Sequence, residues 1–122
     1  MKMKILFIAN NIPAPKLKNN RIILTIAGKL ATQCDISFVY PAFFIFPPFS
    51  FMRKYKALAN LKPWKDGDFL IKPAHYIRLP WKRWSYWLMN TIRPQRFIDQ
   101  QNMPNLCHAH YIMPDGYFAY RV

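Results

Sequence analysis

The side chains best suited to bind a ligand lie first in segment 10–20, where asparagine and lysine follow a short apolar run. Asn19 and Asn20 stand where a turn that approaches a phosphate often has glycine, and asparagine is the next residue type to tolerate the left-handed region. Lys16, Lys18 and Arg21 add positive charge near the expected start of a helix, which favours anions. The candidates for substrate binding are Lys18, Asn19, Asn20 and Arg21. The alternative is a solvated basic loop in which asparagine caps the helix.

A second group of candidates follows the apolar run 106–109. We expect His110 at the mouth of a crevice, where its imidazole could hydrogen-bond a sugar hydroxyl or a phosphate, so it is the candidate catalytic residue. The alternative is a structural histidine bonded to neighbouring backbone. His108 is expected to face the other side of the strand and to pack there, which rules out a metal shared by both histidines. Asp115 and Gly116 are further candidates for substrate binding, although an aspartate before an expected helix more commonly acts as its N-cap.

The composition excludes several classes of enzyme. All five acidic residues are aspartates, so a helical HExxH metal motif and any glutamate acid or base are absent. The three glycines form neither GxGxxG nor GxxxxGK[ST], which excludes the usual dinucleotide and P-loop sites. We therefore expect no cofactor and no metal. The chain is 52% hydrophobic, so we expect a packed globular core and not a basic tail.

Cysteine usage and hydropathy favour a cytoplasmic protein. Cys34 and Cys107 form no CxxC or zinc-type spacing, and the first apolar run is too short for a secretory leader, so both thiols are expected to be reduced. The longest uncharged stretch, 36–52, is broken by three prolines, and we expect no transmembrane helix.

Apolar patterning predicts an α/β fold with a parallel sheet. Short apolar runs predict strands over 3–9, 35–40 (ended by Pro41), 69–78 (a bent or edge strand containing Pro73 and a structural His75) and 106–109. Helical spacing predicts a first helix presenting Ile22, Ile23, Ile26, Leu30 and Ala31, a helix near 51–61, a helix over 81–101 kinked at Pro94, and a final helix after Gly116. An irregular excursion is expected over 41–65. We expect right-handed crossovers, with the first strand between the second and the fourth.

This arrangement would bring the two polar segments together. In an open doubly wound sheet, ligands bind outside the carboxyl ends of the strands where the strand order reverses. Segments 10–20 and 110–116 follow the first and fourth strands, so we expect them to line one crevice. Residues 1–122 are predicted to form a single domain, and the alternation of strand and helix stopping inside a helix suggests a truncated chain.

The chain resembles the N-terminal domain of family 4 glycosyltransferases in two segments, MKILFIANNIPAP at 3–15 and NLCHAHYIMPDGYFAYRV at 105–122. In that family the fourth strand commonly ends in a His-Ala-His type motif, followed by a turn and a helix. The matching residues here are His108, Ala109 and His110, then Pro114, Asp115 and Gly116. The resemblance implies a Rossmann-like parallel sheet with flanking helices, the incomplete N-terminal half of a GT-B fold.

The resemblance also implies a function. Members of the family are retaining enzymes that move a sugar from a nucleotide-sugar to an acceptor, often a glycan or a lipid-linked molecule in cell-surface polysaccharide or glycolipid synthesis. Their C-terminal domain supplies most of the donor site, including two glutamates, and this chain has neither that domain nor any Glu. The family's glycine pair after the first strand is replaced near Lys18, Asn19 and Asn20. The parent is thus expected to be a hexosyltransferase, and this chain alone is expected to be inactive.

The formal net charge of +13 leaves several kinds of partner open. The resemblance implies peripheral contact with an anionic inner-membrane surface. The candidates are the aromatic and basic residues Phe43, Phe44, Phe46, Phe49, Phe51, Arg53, Lys54, Lys56, Trp81, Lys82, Arg83, Trp84 and Trp87. The same aromatics could instead be core, or be covered by a missing domain or a homodimer partner. Competing functions are a basic nucleic-acid-binding module and a catalytically dead interaction protein.

Overall fold

A computed structural model describes residues 1–44, 53–77, 103–110, 116 and 119–120. In chain order its elements are β1 (Met3–Ile8), α1 (Ile22–Leu30), β2 (Cys34–Phe44), α2 (Arg53–Ala59), β3 (Trp64–Asp66), β4 (Phe69–Ile77) and β5 (Leu106–Ala109). The predicted helix over 81–101 with its kink at Pro94, and Asp115, lie outside the described residues. The predicted helix near 51–61 is confirmed as α2.

The five strands form one mostly parallel sheet in the order β3-β4-β2-β1-β5. β1 pairs in parallel with β2 and with β5, and β2 pairs in parallel with β4, whereas β3 pairs antiparallel with β4. The expectation that the first strand lies between the second and the last predicted strand is confirmed. The fold is therefore of the α/β type, with a mixed sheet and few helices in the part of the chain that the structure describes.

The carboxyl ends of β1 and β5 lie side by side at the same end of the sheet. Ile8, the last residue of β1, is in register with Val39 on one side and with Ala109 on the other. One step further, Ala9 N–H donates to the Val39 carbonyl oxygen at 3.2 Å, and His110 N–H donates to the Ile8 carbonyl oxygen at 3.2 Å. The segments after β1 and β5 consequently leave the sheet side by side, as the sequence predicts.

β2 continues through Pro41 to Phe44, so the prediction that Pro41 ends this strand is wrong. The last β1–β2 pair joins Ile8 to Val39, and Pro41 lies two residues beyond it. Val39 accepts its bond from Ala9 on the β1 side, and residues two apart in a strand direct their backbone groups the same way. The backbone nitrogen of Pro41 therefore faces the side on which β1 has already ended. Because no β1 residue is paired there, the lack of an N–H on Pro41 removes no hydrogen bond from the sheet.

β3 is an edge strand within the segment where the sequence predicts only an irregular excursion with one helix. It forms a hairpin with β4 through a two-residue loop of Gly67 and Asp68, in which Gly67 has φ +60°. Glycine first in such a loop is the arrangement of type II′ hairpins. The β3–β4 pair furthest from the turn involves Ile71, so Pro73 lies beyond the residues that β3 covers. On that side β4 is an open edge, as the proline in this strand predicts.

The main core lies between the sheet and the two helices. Its buried members are Ile5, Phe7, Ala9, Ile12, Ile23, Leu24, Ala27, Phe38, Tyr40, Ala42, Leu58, Leu61 and Ile71. At its centre the Phe38 ring lies 5.3 Å from that of Phe7 and 5.2 Å from that of Phe69. On the opposite face Leu6 and Val39 are also buried, which explains why β1 is a continuous apolar run.

The core-facing side of α1 differs in part from the prediction. Ile23, Leu24 and Ala27 are buried, but Ile22 and Ile26 are 59% and 49% exposed. All of these residues fit a helical period, and an apolar stripe that is wider than the contact area leaves one flank outside it. The sequence therefore predicts the helix but not the rotation at which it packs.

Candidate functional site

A cavity of about 270 Å³ opens beyond the carboxyl end of β1, beside Tyr40 and Pro41 within β2. It is lined by Asn10, Asn11, Leu17, Lys18, Asn19, Tyr40, Pro41 and Leu58. Its volume is near the lower end of the range for small-molecule sites, about 300 Å³. Two of the predicted substrate-binding residues, Lys18 and Asn19, lie in this lining, at the end of the sheet where an open α/β fold binds its ligands.

The loop after β1 is folded back on itself by a tight turn. Ala14 and Leu17 exchange backbone hydrogen bonds of 3.1 and 2.9 Å, and Pro15 and Lys16 occupy the turn between them. Proline suits the first central position of a turn, and the second central residue, Lys16, has φ 65°. The sequence predicts a left-handed residue at Asn19 or Asn20, whereas in the structure the left-handed residue of this loop is Lys16. The Pro15 that precedes it is the signal that could have located the turn.

Asn19 fixes the returning half of this loop. Its Nδ2 donates to the carbonyl oxygen of Ile12 at 3.2 Å, and the Ile12 side chain is fully buried in the core. The bond ties the wall of the cavity to the core, so Asn19 shapes the site in addition to lining it. Lys18, which is exposed, brings an ammonium group to the same wall.

Asn11 carries the most informative polar atom of the cavity. Its side-chain oxygen Oδ1 is buried and has no hydrogen-bond partner among the described residues. A buried acceptor without a partner costs about 1–3 kcal/mol, and most such atoms in proteins are paired. Asn11 lines the cavity, and a rotation of its side chain would offer this oxygen to an O–H or N–H donor of a bound ligand. Sequence reasoning missed Asn11, although it belongs to the asparagine pair that directly follows the first strand.

Asn20 and Arg21 serve the framework and do not line this cavity. The Asn20 Oδ1 accepts the N–H of Ile22, the first residue of α1, at 2.7 Å, although the N-cap position itself is held by Arg21, which makes no side-chain capping bond. Arg21 forms a two-pronged ion pair with Asp66 of β3, with N···O distances of 2.7 and 3.1 Å. The hydrogen bond to Asp66 and its charge raise the pKa of the Arg21 guanidinium. The positive charge of Arg21 is therefore matched by Asp66.

His110 is exposed and directly follows β5, as predicted, but it does not line the cavity. His108 is also exposed, and its ring lies 4.9 Å from that of Phe7, so its packing role stays a prediction. The expectation that these two histidines face opposite sides is wrong, because residues two apart along a strand share a face. Asp115 lies outside the described residues, and Gly116 is half-buried.

Three further titratable side chains, those of His75, Cys34 and Cys107, lie outside this cavity. His75 Nε2 donates to the Leu58 carbonyl oxygen at 3.2 Å, which joins β4 to α2 and fits its predicted structural role. Cys34 and Cys107 are free thiols, and burial raises the pKa of the Cys107 thiol. Within the described ranges no three His, Cys, Asp or Glu side chains come together to hold a metal ion.

The described lining of the cavity is suited to binding. It offers three amides, one ammonium group and an aromatic ring, and among the described residues it includes no carboxylate, cysteine or histidine. Amides bind hydroxyl groups well because they both donate and accept hydrogen bonds. Among the helices described, none is long and apolar enough to cross a bilayer. No protein family, no curated protein and no solved structure matches this chain.

Proposed function

We propose that this chain is the acceptor-side domain of a glycosyltransferase that moves a sugar from a nucleotide-sugar to a glycan or lipid-linked acceptor. The observation that carries the proposal is the amide-lined cavity beyond the carboxyl end of β1, where the Oδ1 of Asn11 is buried and has no hydrogen-bond partner among the described residues. A sugar is dense in hydroxyl donors, and one of them would satisfy this oxygen.

The strand order supports the same proposal. Without the edge strand β3, the order β4-β2-β1-β5 corresponds to 3-2-1-4, the order of a Rossmann-like half. In such a sheet the order reverses beside the first strand, which here is β1 between β2 and β5. The cavity and His110 both lie at the carboxyl end of this point. We therefore assign the chain to the N-terminal half of a GT-B type enzyme.

The roles of the residues follow from their placement. Asn11, Asn19 and Lys18 bind acceptor hydroxyls, and His110 acts at the crevice mouth on a substrate held against a second domain. The donor nucleotide is bound mainly by that second domain, since the cavity contains no carboxylate and the chain contains no Glu. With a charge of +13, the domain approaches the anionic face of a membrane from the cytoplasm. Of the proposed contact residues, Lys56 is exposed in the structure.

Sugar binding can be tested directly by NMR. The ¹⁵N-labelled chain is titrated with glucose, galactose, mannose and N-acetylglucosamine, and we expect saturable shifts at Asn11, Asn19 and Lys18 with at least one of them. Asn11→Leu should abolish these shifts. The control Gln33→Leu removes an exposed amide after α1 and should leave them unchanged. Saturable binding that survives Asn11→Leu, or the absence of binding by all four sugars, would refute the proposed use of the cavity.

A nucleic-acid-binding module is the second candidate, and the observation that favours it is the same charge of +13. A fluorescent single-stranded DNA oligonucleotide, titrated at low and high salt, separates the two functions. The transferase proposal predicts only weak binding that vanishes at high salt. Tight binding that shifts aromatic resonances at moderate salt would favour stacked bases and the nucleic-acid function.

A further inference from the structure

We propose that a second groove, on the other side of the loop after β1, binds a phosphate ester that carries an apolar or aromatic group. The groove has a volume of about 690 Å³ and is lined by Pro15, Lys16, Lys56, Ala57, Asn60, Leu61, Lys62, Pro63 and Trp64. It shares no lining residue with the amide-lined cavity. The inference does not depend on the proposed glycosyltransferase function.

Three lysines from three different segments converge on this groove. Lys16 comes from the turn after β1, Lys56 from α2 and Lys62 from the segment before β3, and all three are exposed. The lining contains no acidic residue to compensate them. Like charges brought to one concave surface repel each other, and a bound anion removes that repulsion.

The backbone of Lys16 is held in an energetically unfavourable conformation. Its φ of 65° lies in the left-handed region, which is unfavourable for a residue with a side chain. The turn is closed by the two bonds between Ala14 and Leu17, so the conformation is imposed by the loop. Strained residues that the surrounding structure holds in place cluster at binding sites, and Lys16 is the one non-glycine residue with positive φ in the described ranges.

The negative end of α2 lies next to the groove, and two of its carbonyl groups, those of Lys56 and Leu58, are already partnered. The Lys56 carbonyl oxygen accepts the N–H of Asn60 at 3.1 Å and the Asn60 Nδ2 at 3.0 Å. The Leu58 carbonyl oxygen accepts bonds from Leu61 N–H at 3.4 Å and from His75 Nε2 at 3.2 Å. These bonds offset part of the negative charge of the helix end, which carries about half an elementary charge, against three full positive charges on the lysines.

The opposite wall of the groove is apolar. Pro15, Leu61, Pro63 and Trp64 contribute to it, and the Trp64 ring is half-exposed. The edge-to-face contact of Trp64 with Tyr40, with centroids 5.5 Å apart, fixes the indole in place. A ligand that fills the groove thus places its charge on the lysines and an apolar or flat group against Trp64.

Calorimetric titration of the intact chain with inorganic phosphate and with phenyl phosphate tests this inference. We expect both to bind, phenyl phosphate more tightly. The double variant Lys56→Gln, Lys62→Gln should bind phenyl phosphate about tenfold more weakly. The control double variant Lys2→Gln, Lys29→Gln also removes two charges, from exposed lysines outside the groove, and should change the affinity less than about twofold.

Sedimentation with phosphatidylcholine vesicles containing phosphatidic acid identifies the source of the phosphate ester. If the lysine pair of the groove is required for sedimentation while the control pair is not, the ester is a lipid headgroup. If vesicles do not bind but phenyl phosphate does, the ester is a soluble molecule. Equal weakening of phenyl phosphate binding in both double variants, or no binding by wild type, overturns the inference. None of these outcomes bears on the sugar titration of the amide-lined cavity, so the two proposals can fail independently.

Discussion

Replacing Asn11 by leucine should stabilise the fold and at the same time remove sugar binding. The Oδ1 of Asn11 is buried and unpaired, whereas leucine has a similar size and no polar atom to desolvate. A buried acceptor without a partner costs about 1–3 kcal/mol. Because the Asn11 residue as a whole is only half-buried, we take the lower part of this range. The free energy of unfolding is then expected to rise by about 1 kcal/mol, and the Tm by about 3–6 °C.

The neighbouring variant Asn19→Ala should have the opposite effect. It removes the hydrogen bond from Asn19 Nδ2 to the Ile12 carbonyl oxygen, which holds the loop on the core. A bond of this kind contributes about 0.5–1.5 kcal/mol, so the free energy of unfolding should fall by that amount. Two asparagines in one cavity are therefore predicted to differ in the sign of their effect on stability.

Urea denaturation followed by circular dichroism measures both changes, and calorimetry gives the corresponding Tm values. A loss of stability in Asn11→Leu as large as that in Asn19→Ala would show that Oδ1 has a partner and would remove the main argument for the site. A gain in stability with unchanged sugar binding would show instead that the unpaired atom has no part in recognition. A gain together with lost binding is the usual exchange of stability for function.

Three further predictions concern the framework. Phe38→Ala, which empties the centre of the core, should lower the free energy of unfolding by about 3–5 kcal/mol in urea titrations; Phe38→Leu should lose distinctly less, and equal losses would contradict the central packing. Arg21→Gln breaks the ion pair with Asp66 and should lower the Tm at low ionic strength, with a difference that shrinks in high salt; a deficit independent of salt would point to packing. Burial raises the pKa of Cys107, so its thiolate fraction at pH 8 is smaller in the folded chain than in urea. Iodoacetamide should therefore modify Cys107 more slowly in the folded chain, and the difference in rate should shrink as the pH rises. Equal rates at pH 8 would count against the raised pKa.

The sheet was largely predictable because its strands carry short-range signals. The apolar run of β1 is buried on both faces, and the strands over 35–40, 69–78 and 106–109 were found with errors mainly at their ends. The extension of β2 past Pro41 was not predictable, because it depends on where the neighbouring strand β1 stops. The hairpin of β3 was missed although Gly67 marks its turn, since three residues are too few to show an alternating pattern.

The candidate site was predictable in position but only partly in composition. The rule that ligands bind at the carboxyl ends of the strands indicates the loop after β1, and Lys18 and Asn19 do line the cavity there. The roles of Asn20 and Arg21 depend on contacts with Ile22 and Asp66, one local and one distant in sequence. Single-sequence patterns report local propensity, so they do not show which of several adjacent polar side chains turns inward.

The place of β1 in the sheet also constrains how the chain can fold during translation. Of the five described strands, β1 is the first to leave the ribosome, and one of its neighbours, β2, follows soon after. Its other neighbour, β5, lies far along the chain, as the bond from the Lys4 N–H to Asn105 Oδ1, spanning 101 residues, illustrates. Until β5 emerges, the nascent sheet exposes one unpaired edge of its most apolar strand, which is a template for association with other chains. Slow synthesis before residue 106 would therefore prolong the period in which this edge of β1 is open to association with other chains.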